Sequence, residues 1–456
     1  MQPTLHHVLD CAKHAAPWRM RVPKRGFSTR SSIALVTPRF ARKPQGTPFL
    51  NQRRIIVRNN ATSSTQPLSR RCYSQDVSKQ QDKYAAVVVG GGPAGITVIG
   101  NLLERKLQPI LWVDDKFEAG RVNRSYREVP SNTKTKLFID FAEAVEPFRK
   151  IIDETPSPHA VDSLRKLEQD QGCNLSHAAD MLLMLTDGLK TKPELHSRLG
   201  RVSEATLDDT KGWNVQLKLA DNTEAQVASD RLVLCTGSSP NDTPLPVVVE
   251  GMQPLHLDTA LSPTVLAKSI PRDSPATIAV IGASHSAILV LLNLYNLAKS
   301  THPQLRIKWF TRHALRYAEY MDGWILRDNT GLKGAAAAWA RANLEPDAFE
   351  DSDVSKFVTP IHYKRENEFT TYEEHLPGCQ YYVTAIGYNK DPLPTLRKGN
   401  ETLTPYYNHM DGSFSTGPGE GEGRRLRVST ALGNVEYAVG FWKFMKFVKS
   451  VVGKWD

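Results

Sequence analysis

Paired cysteines are missing from this chain. Its five thiols, Cys11, Cys72, Cys173, Cys235 and Cys379, are scattered through 456 residues, and no two form a Cys-x-x-Cys pair. That spacing argues against a zinc ribbon and a dithiol redox centre, and it favours a reduced compartment over a disulfide framework. Long apolar runs are missing too. No stretch of about 18 uncharged apolar residues occurs, so no membrane-spanning helix is expected, and no apolar segment follows the first basic residues as a secretory signal requires. Acid is scarce in one region only: residues 1–75 contain 14 Lys and Arg but a single acid, Asp10. The whole chain has 58 basic and 48 acidic residues, a formal charge of +10. Beyond residue 75 the balance is 44 basic to 47 acidic, a net charge of −3. The body is therefore a poor candidate for tracking nucleic-acid phosphates.

Residues 1–73 are rich in Arg, Ser, Thr and Pro, the composition of a mitochondrial transit peptide. The run Arg70-Arg71-Cys72-Tyr73-Ser74 resembles a matrix-protease cleavage site, which places the mature start at Ser74. The expected location is the mitochondrial matrix; if the leader is only a basic tail, the alternative is cytoplasmic. The remaining roughly 380 residues exceed what one hydrophobic core usually spans, so about two domains are expected.

The first chemical signal is Tyr84-Ala-Ala-Val-Val-Val-Gly90-Gly91-Gly92-Pro93-Ala94-Gly95. A buried strand enters a glycine turn that opens a helix over about 94–105. In the spacing Gly90-x-Gly92-x-x-Gly95, Gly90 permits the tight turn, Gly92 lets a pyrophosphate approach the backbone, and Gly95 allows close helix–strand packing. The unpaired N–H groups at the helix start then face the diphosphate. A second strand, Pro109-Ile-Leu-Trp-Val-Asp114, ends in a carboxylate placed to accept hydrogen bonds from a ribose diol, with Asp115 the alternative if the register slips by one.

The pattern returns at Thr277-Ile-Ala-Val-Ile-Gly282-Ala-Ser284-His285-Ser286-Ala287. Ser284 and Ser286 stand where glycines are usual and retain hydroxyls for phosphate oxygens. His285 reads as a packing or phosphate-adjacent residue. The next strand, Arg306-Ile-Lys-Trp-Phe-Thr311-Arg312, ends in arginine where the first ended in aspartate. Arginine there suits a 2′-phosphate, so NADPH is favoured over NADH.

Two further segments, Leu232-Val-Leu-Cys235-Thr236-Gly237 and Tyr382-Val-Thr384-Ala385-Ile386-Gly387-Tyr388, bracket the second motif. They read as the points where the chain leaves one sheet and comes back. The expected fold class is therefore α/β: an FAD-binding Rossmann-like domain with an inserted NAD(P)-binding Rossmann-like domain. The expected boundaries are 84–245 for the first part of the FAD domain, 246–350 for the NADP domain, and 351–456 for the FAD return and a C-terminal helix.

These pieces together resemble the flavoprotein oxidoreductases with two dinucleotide-binding domains, and most of all the flavin-containing monooxygenases and ornithine/lysine N-hydroxylases. Val129-Pro130-Ser131-Asn132-Thr133-Lys134 is similar to a Ser/Thr-Asn-Thr segment near the flavin of that group, where the asparagine helps hold the oxygenated flavin and the nicotinamide. The resemblance implies FAD, NADPH and molecular oxygen as reactants with a small-molecule substrate, and makes Asn132 the catalytic candidate. It implies Gly90, Gly92, Pro93, Ala94, Gly95, Asp114, Thr236, Gly237, Gly282, Ser284, Ser286, Arg312 and Gly387 as cofactor contacts. Oxygen would be delivered to a nucleophilic nitrogen or sulfur, or to a carbonyl carbon. The alternatives are an NAD(P)H-dependent reductase with a quinone-type acceptor and a nucleotide-binding relic without catalysis. No metal site is read.

Residues 136–190 read as helical and 196–235 as short strands. The stretch from Phe441 to Val452 reads as a helix with an apolar face, either docked on the FAD domain or lying on a membrane surface.

Overall fold

The computed structural model describes residues 83–322, 325–328, 330–407, 413–415, 426–429 and 441–455. The transit-peptide reading falls outside those residues.

The valine run before the first glycine turn forms β1 (Ala86–Val89), which passes through α1 (Pro93–Glu104) to β2 (Ile110–Asp114). The two strands pair in parallel, Val87 opposite Leu111 and Val88 opposite Trp112. Their near-continuous apolar sequence has a direct cause, since both faces of the sheet are covered. Ala86, Val88, Ile110 and Trp112 enter a core shared with helices, whereas Val87, Leu111 and Val113 enter a second core on the opposite face.

The helical layer is built next. The short α2 (Gly120–Arg124) precedes β3 (Pro130–Lys134), and then come α3 (Thr135–Ala142), α4 (Glu146–Glu154), α5 (Ala160–Arg165) and α6 (Leu175–Lys190). Phe138, Phe141, Phe148, Leu164 and Met181 lock these helices onto α1. β4 (Leu195–Asp208), β5 (Gly212–Leu219) and β6 (Glu224–Ser229) form an antiparallel meander whose first residues pair in parallel with β2. β7 (Leu232–Leu234) closes on the other side of β1, and the chain leaves through β8 (Ser238–Pro240).

The second half contains α7 (Leu257–Ala260), β9 (Ala276–Ile281), α8 (His285–Ser300), β10 (Leu305–Thr311), α9 (Gly334–Asn343), β11 (Val358–His362) and β12 (Tyr381–Thr384). Its sheet is parallel throughout, in the order Gln253–Pro254, β12, β9, β10, β11. The return path is β13 (Tyr388–Lys390), antiparallel to β8, then β14 (Thr395–Lys398) beside β4, and β15 (Leu426–Ser429) parallel to β7. The inserted topology is as expected, but the boundary at 350 comes too early. β11 and β12 both belong to the second sheet, so that half runs to Thr384. The segment 382–384 is therefore the last strand of the inserted sheet, and the return to the first sheet begins only after it.

The C-terminal helix α10 (Phe441–Val451) docks on the first half. Phe441, Met445, Val448 and Val451 are buried in the core that holds α1, and Phe441 packs edge-on against Phe138 at a centroid distance of 5.2 Å. The membrane-surface reading of this helix is thereby corrected: its apolar face is occupied inside the protein. No helix among the described residues is long and apolar enough to cross a membrane.

Candidate functional site

Each glycine turn is shaped by contact with a neighbouring strand. Gly90 has φ +113°, and a Cβ there would lie 2.2 Å from the carbonyl oxygen of Cys235 at the end of β7. Gly282 repeats this with φ +133° and a Cβ position 2.4 Å from the carbonyl oxygen of Ala385, just past β12. Only glycine fits such a conformation at such a distance. Each turn thus sits at the carboxyl ends of three adjacent parallel strands, where α/β sheets bind their ligands.

Both following helices begin without a side-chain cap, α1 after Gly92 and α8 after Ser284. Their first N–H groups are therefore available to an anion. Pro93 and Ala94 form the first positions of α1, and Gly95 is buried against the turn. The face of Gly92 is open, with the nearest atom to an added Cβ at 3.9 Å. Ser284 donates to the Ala385 carbonyl at 3.3 Å, and Ser286 hydrogen-bonds Tyr388. The hydroxyls of the second turn are thus already engaged with the crossover that follows β12.

Asp114 has a structural task that the sequence alone did not reveal. Its carboxylate accepts the Gly91 N–H at 2.6 Å and the N–H groups of Lys116 and Phe117 at 2.9 and 2.6 Å. It therefore fastens the glycine turn to the end of β2. Asp115 pairs instead with Arg201 at 3.1 Å. Thr236 and Gly237 follow β7 directly, and the Thr236 hydroxyl is buried with no hydrogen-bond partner among the described residues. Gly387 lies between β12 and β13 with φ +113°.

Asn132 is exposed on β3, and its strand packs against the start of α9, where a Cβ on Gly334 would lie 3.7 Å from the Asn132 Cα. The neighbouring Lys333 pairs with Asp328, which also receives Lys443 from α10. Lys333 acts electrostatically on His285, the first residue of α8. Burial, with Lys333 adding to it, lowers the His285 imidazole to about 4, and its Nδ1 has no partner among the described residues. The fold therefore brings Asn132, read from the first half, to the same edge as the second glycine turn.

Arg312 follows β10 and lines an open cavity of about 620 Å³ with Thr311, His313, His362 and Lys364. Thr311 Oγ1 is 2.6 Å from His362 Nδ1. Glu366, also on this lining, is the only carboxylate there, so the lining is predominantly basic.

Comparison with known proteins settles the family. Residues 84–302 match the model of the pyridine nucleotide-disulphide oxidoreductases. A protein of Paecilomyces divaricatus described as monooxygenase AgnR1 is 52% identical over 384 residues, covering 82% of this chain and 98% of the relative. This chain belongs to the flavoprotein monooxygenases. Solved structures agree in fold. An ornithine N-hydroxylase of Kutzneria sp. 744 superposes with TM-score 0.53 at 13% identity, over 82% of this chain and 99% of its own. The ornithine hydroxylase of Pseudomonas aeruginosa gives TM-score 0.50 at 13% identity, over 82% of this chain and 98% of its own.

Several contacts around the two glycine turns had escaped the sequence reading. Trp112 and Trp309 each bind the carbonyl of their turn's first glycine, at 2.9 and 2.8 Å. A signal was present, since each tryptophan stands two residues before the last residue of its strand, Asp114 in one half and Thr311 in the other. Arg121, Tyr126, Asp258 and Tyr388 also converge between the two halves of the monooxygenase, and no local pattern announces them.

Proposed function

We propose that this monooxygenase binds FAD at the Gly90–Gly95 turn and NADPH at the Gly282–Ser286 turn, and transfers oxygen to a small nucleophilic substrate. The observation that carries this reading is the repeated construction of the two turns: a positive-φ glycine closed by a strand-end carbonyl and followed by an uncapped helix of 12 or 16 residues. Two such anion cradles in one chain match two dinucleotides. FAD, when bound, supplies the hydride-accepting and oxygen-activating chemistry, and the protein supplies binding, orientation and exclusion of water.

The chain's residues have separable roles in this reading. Backbone N–H groups at Pro93–Gly95 and Ser284–Ser286, excepting the proline, hold diphosphates. Asp114 retains acceptor capacity for a ribose hydroxyl while it fastens its turn. The Thr236 hydroxyl, without a hydrogen-bond partner among the described residues, and the Gly237 backbone lie at the end of β7, where a flavin would cross the sheet. Arg312, in its basic cavity, recognises the 2′-phosphate that separates NADPH from NADH. Asn132 presents a donor and an acceptor at the edge shared by the two turns.

Purified protein is expected to be yellow, to oxidise NADPH, and, with its substrate, to consume oxygen without releasing an equal amount of hydrogen peroxide. Equal peroxide release with every compound class tried would instead identify an NAD(P)H reductase, and a colourless protein that FAD cannot reconstitute would identify a nucleotide-binding relic.

The location in this proposal is the mitochondrial matrix, supported by the 14 basic residues against one acid in residues 1–75. Import into isolated mitochondria should yield a mature protein whose amino terminus is Ser74; a chain left uncleaved outside the organelle would place the enzyme in the cytoplasm.

A further inference from the structure

A single hydrogen-bonded cluster spans the two halves. Arg121, at the start of α2, uses three edges of its guanidinium. Nε donates to the Ser238 carbonyl at 3.0 Å, Nη2 donates to Ser239 Oγ at 2.6 Å, and Nη1 donates to Asp258 Oδ2. Ser238 and Ser239 belong to β8, the outgoing crossover, and Asp258 to α7 in the second half. Ser239 continues the chain of contacts by donating to Asp391, beyond β13 on the returning crossover. The other Asp258 oxygen accepts the Tyr126 hydroxyl at 2.9 Å, and the Tyr126 oxygen is 3.2 Å from that of Tyr388. Tyr388 in turn meets Ser286 in the second glycine turn.

The cluster also touches the first turn. Gly120, the residue before Arg121, packs so closely on it that a Cβ there would lie 3.1 Å from the Gly92 Cα. A continuous path therefore runs from the Gly90–Gly95 turn, through Gly120 and Arg121, to Asp258, Tyr126, Tyr388 and Ser286. Arg121 and Asp258 are 23% and 16% exposed, so water competes little for their bonds. Satisfied, largely shielded ion pairs of this kind add little net stability; where they act, they select one arrangement over its neighbours.

We propose that Arg121 and Asp258 are positioning residues that fix the second nucleotide turn against the first, and so set the geometry in which a hydride passes from bound nicotinamide to flavin. The inference rests on the assignment of FAD and NADPH to the two turns. The pair touches neither reacting atom. It acts by holding both crossovers, β8 and β13, and the α7 end of the inserted half in one relation. A hydride transfer is sensitive to displacements of well under an ångström to one ångström, so loosening this joint should slow transfer while leaving each cofactor's own binding turn intact.

The test uses the full-length, flavin-loaded enzyme under anaerobic stopped-flow conditions. Increasing NADPH gives a limiting rate of flavin bleaching and a dissociation constant. Enzyme reduced with dithionite and mixed with oxygen gives an independent reoxidation rate. In Asp258→Asn and Arg121→Met the limiting rate is expected to fall at least tenfold, with NADPH dissociation changed less than threefold and reoxidation less than twofold. The double variant should be no slower than the slower single variant, because both changes break the same contact. An unchanged limiting rate overturns the proposal. So does a fall matched by equal losses in NADPH affinity or reoxidation, which marks general damage. If either variant loses its flavin, Tyr126→Phe, which removes one hydroxyl, carries the test: a limiting rate reduced threefold or more supports the joint and an unchanged rate overturns it. Failure of NADPH to bleach the wild-type flavin would instead refute the cofactor assignment.

Discussion

The indole N–H of Trp112 donates to the carbonyl oxygen of Gly90 at 2.9 Å, and the bond is repeated in the inserted half, where Trp309 donates to Gly282 at 2.8 Å. In both halves the second strand thus holds the turn that precedes the helix. The tryptophans are buried, and neither carbonyl lies within a regular strand or helix, so each indole satisfies an acceptor that the turn would otherwise leave open. Trp112→Phe preserves most of the apolar volume but strands the Gly90 oxygen, at a cost of about 1–3 kcal/mol. Flavin retention should fall in Trp112→Phe, and NADPH affinity in Trp309→Phe with flavin content intact. Flavin absorbance per protein and NADPH titration separate the two; equal effects of both variants on both cofactors would refute the pairing of turn and cofactor.

Gly90→Ala should be severe. A methyl group would meet the Cys235 carbonyl at 2.2 Å, in a conformation of φ +113° that alanine rarely adopts. Displacing that backbone costs about 2 kcal/mol or more. The expected product is apoprotein with a lowered Tm, and a yellow protein of normal Tm would contradict the turn geometry.

Arg312→Ala should reduce the preference for NADPH over NADH by about tenfold or more, the usual value of a hydrogen bond to a charged phosphate. The change should appear in NADPH affinity and leave NADH affinity nearly unchanged, because NADH has no 2′-phosphate. Titration with both nucleotides measures it, and an unaltered ratio would assign the preference to other residues of the cavity, Lys364 first.

His285 makes folding sensitive to acid. Its folded-state value is lowered to about 4, chiefly by burial, against an ordinary value of 6.5. The unfolded chain binds a proton below about pH 6.5 while the folded chain does not. Stability is therefore lost as pH falls from about 6.5 towards 4, by at most about 3 kcal/mol for this shift. His285→Gln has no proton to gain. Urea midpoints for the two proteins should converge in acid relative to their difference at pH 7.5, and a difference independent of pH would exclude this source.

Asn132→Ala should leave the folded protein and its flavin content unchanged, since Asn132 is exposed and its side chain makes, among the described residues, only a long 3.5 Å contact with Thr133. Its effect should fall on oxygen coupling, with the fraction of NADPH electrons lost to peroxide rising severalfold. Coupling equal to that of the wild type would remove Asn132 from the catalytic set.

Local chemistry explains what was readable in the sequence. Glycines at 90, 95 and 282 stand where a neighbouring backbone carbonyl leaves no room for a side chain, Gly92 keeps an open face at the helix start, and the valine- and isoleucine-rich strands before the two turns are apolar because both faces of a parallel sheet are covered. The second half's true end was not readable. β11 and β12 resemble any short strands, and only pairing with β10 and β9 assigns them to the inserted sheet. The C-terminal helix shows the same limit, since an apolar face predicts burial without naming the partner, and the side chains of α1 and α3 decided it.

By itself, then, the sequence determined two glycine turns at strand–helix junctions, an α/β fold with an insertion, and a basic composition in residues 1–75 ahead of a nearly neutral remainder, because each is written in contiguous residues whose spacing or charge has a steric or electrostatic cause. The tertiary structure alone decided that Arg121 meets Asp258 across 137 positions, that Tyr126 reaches Tyr388 across 262, and that Asp114 is bound to its own glycine turn. Such contacts depend on where two distinct sheets come to rest, and no periodicity along the chain encodes that distance.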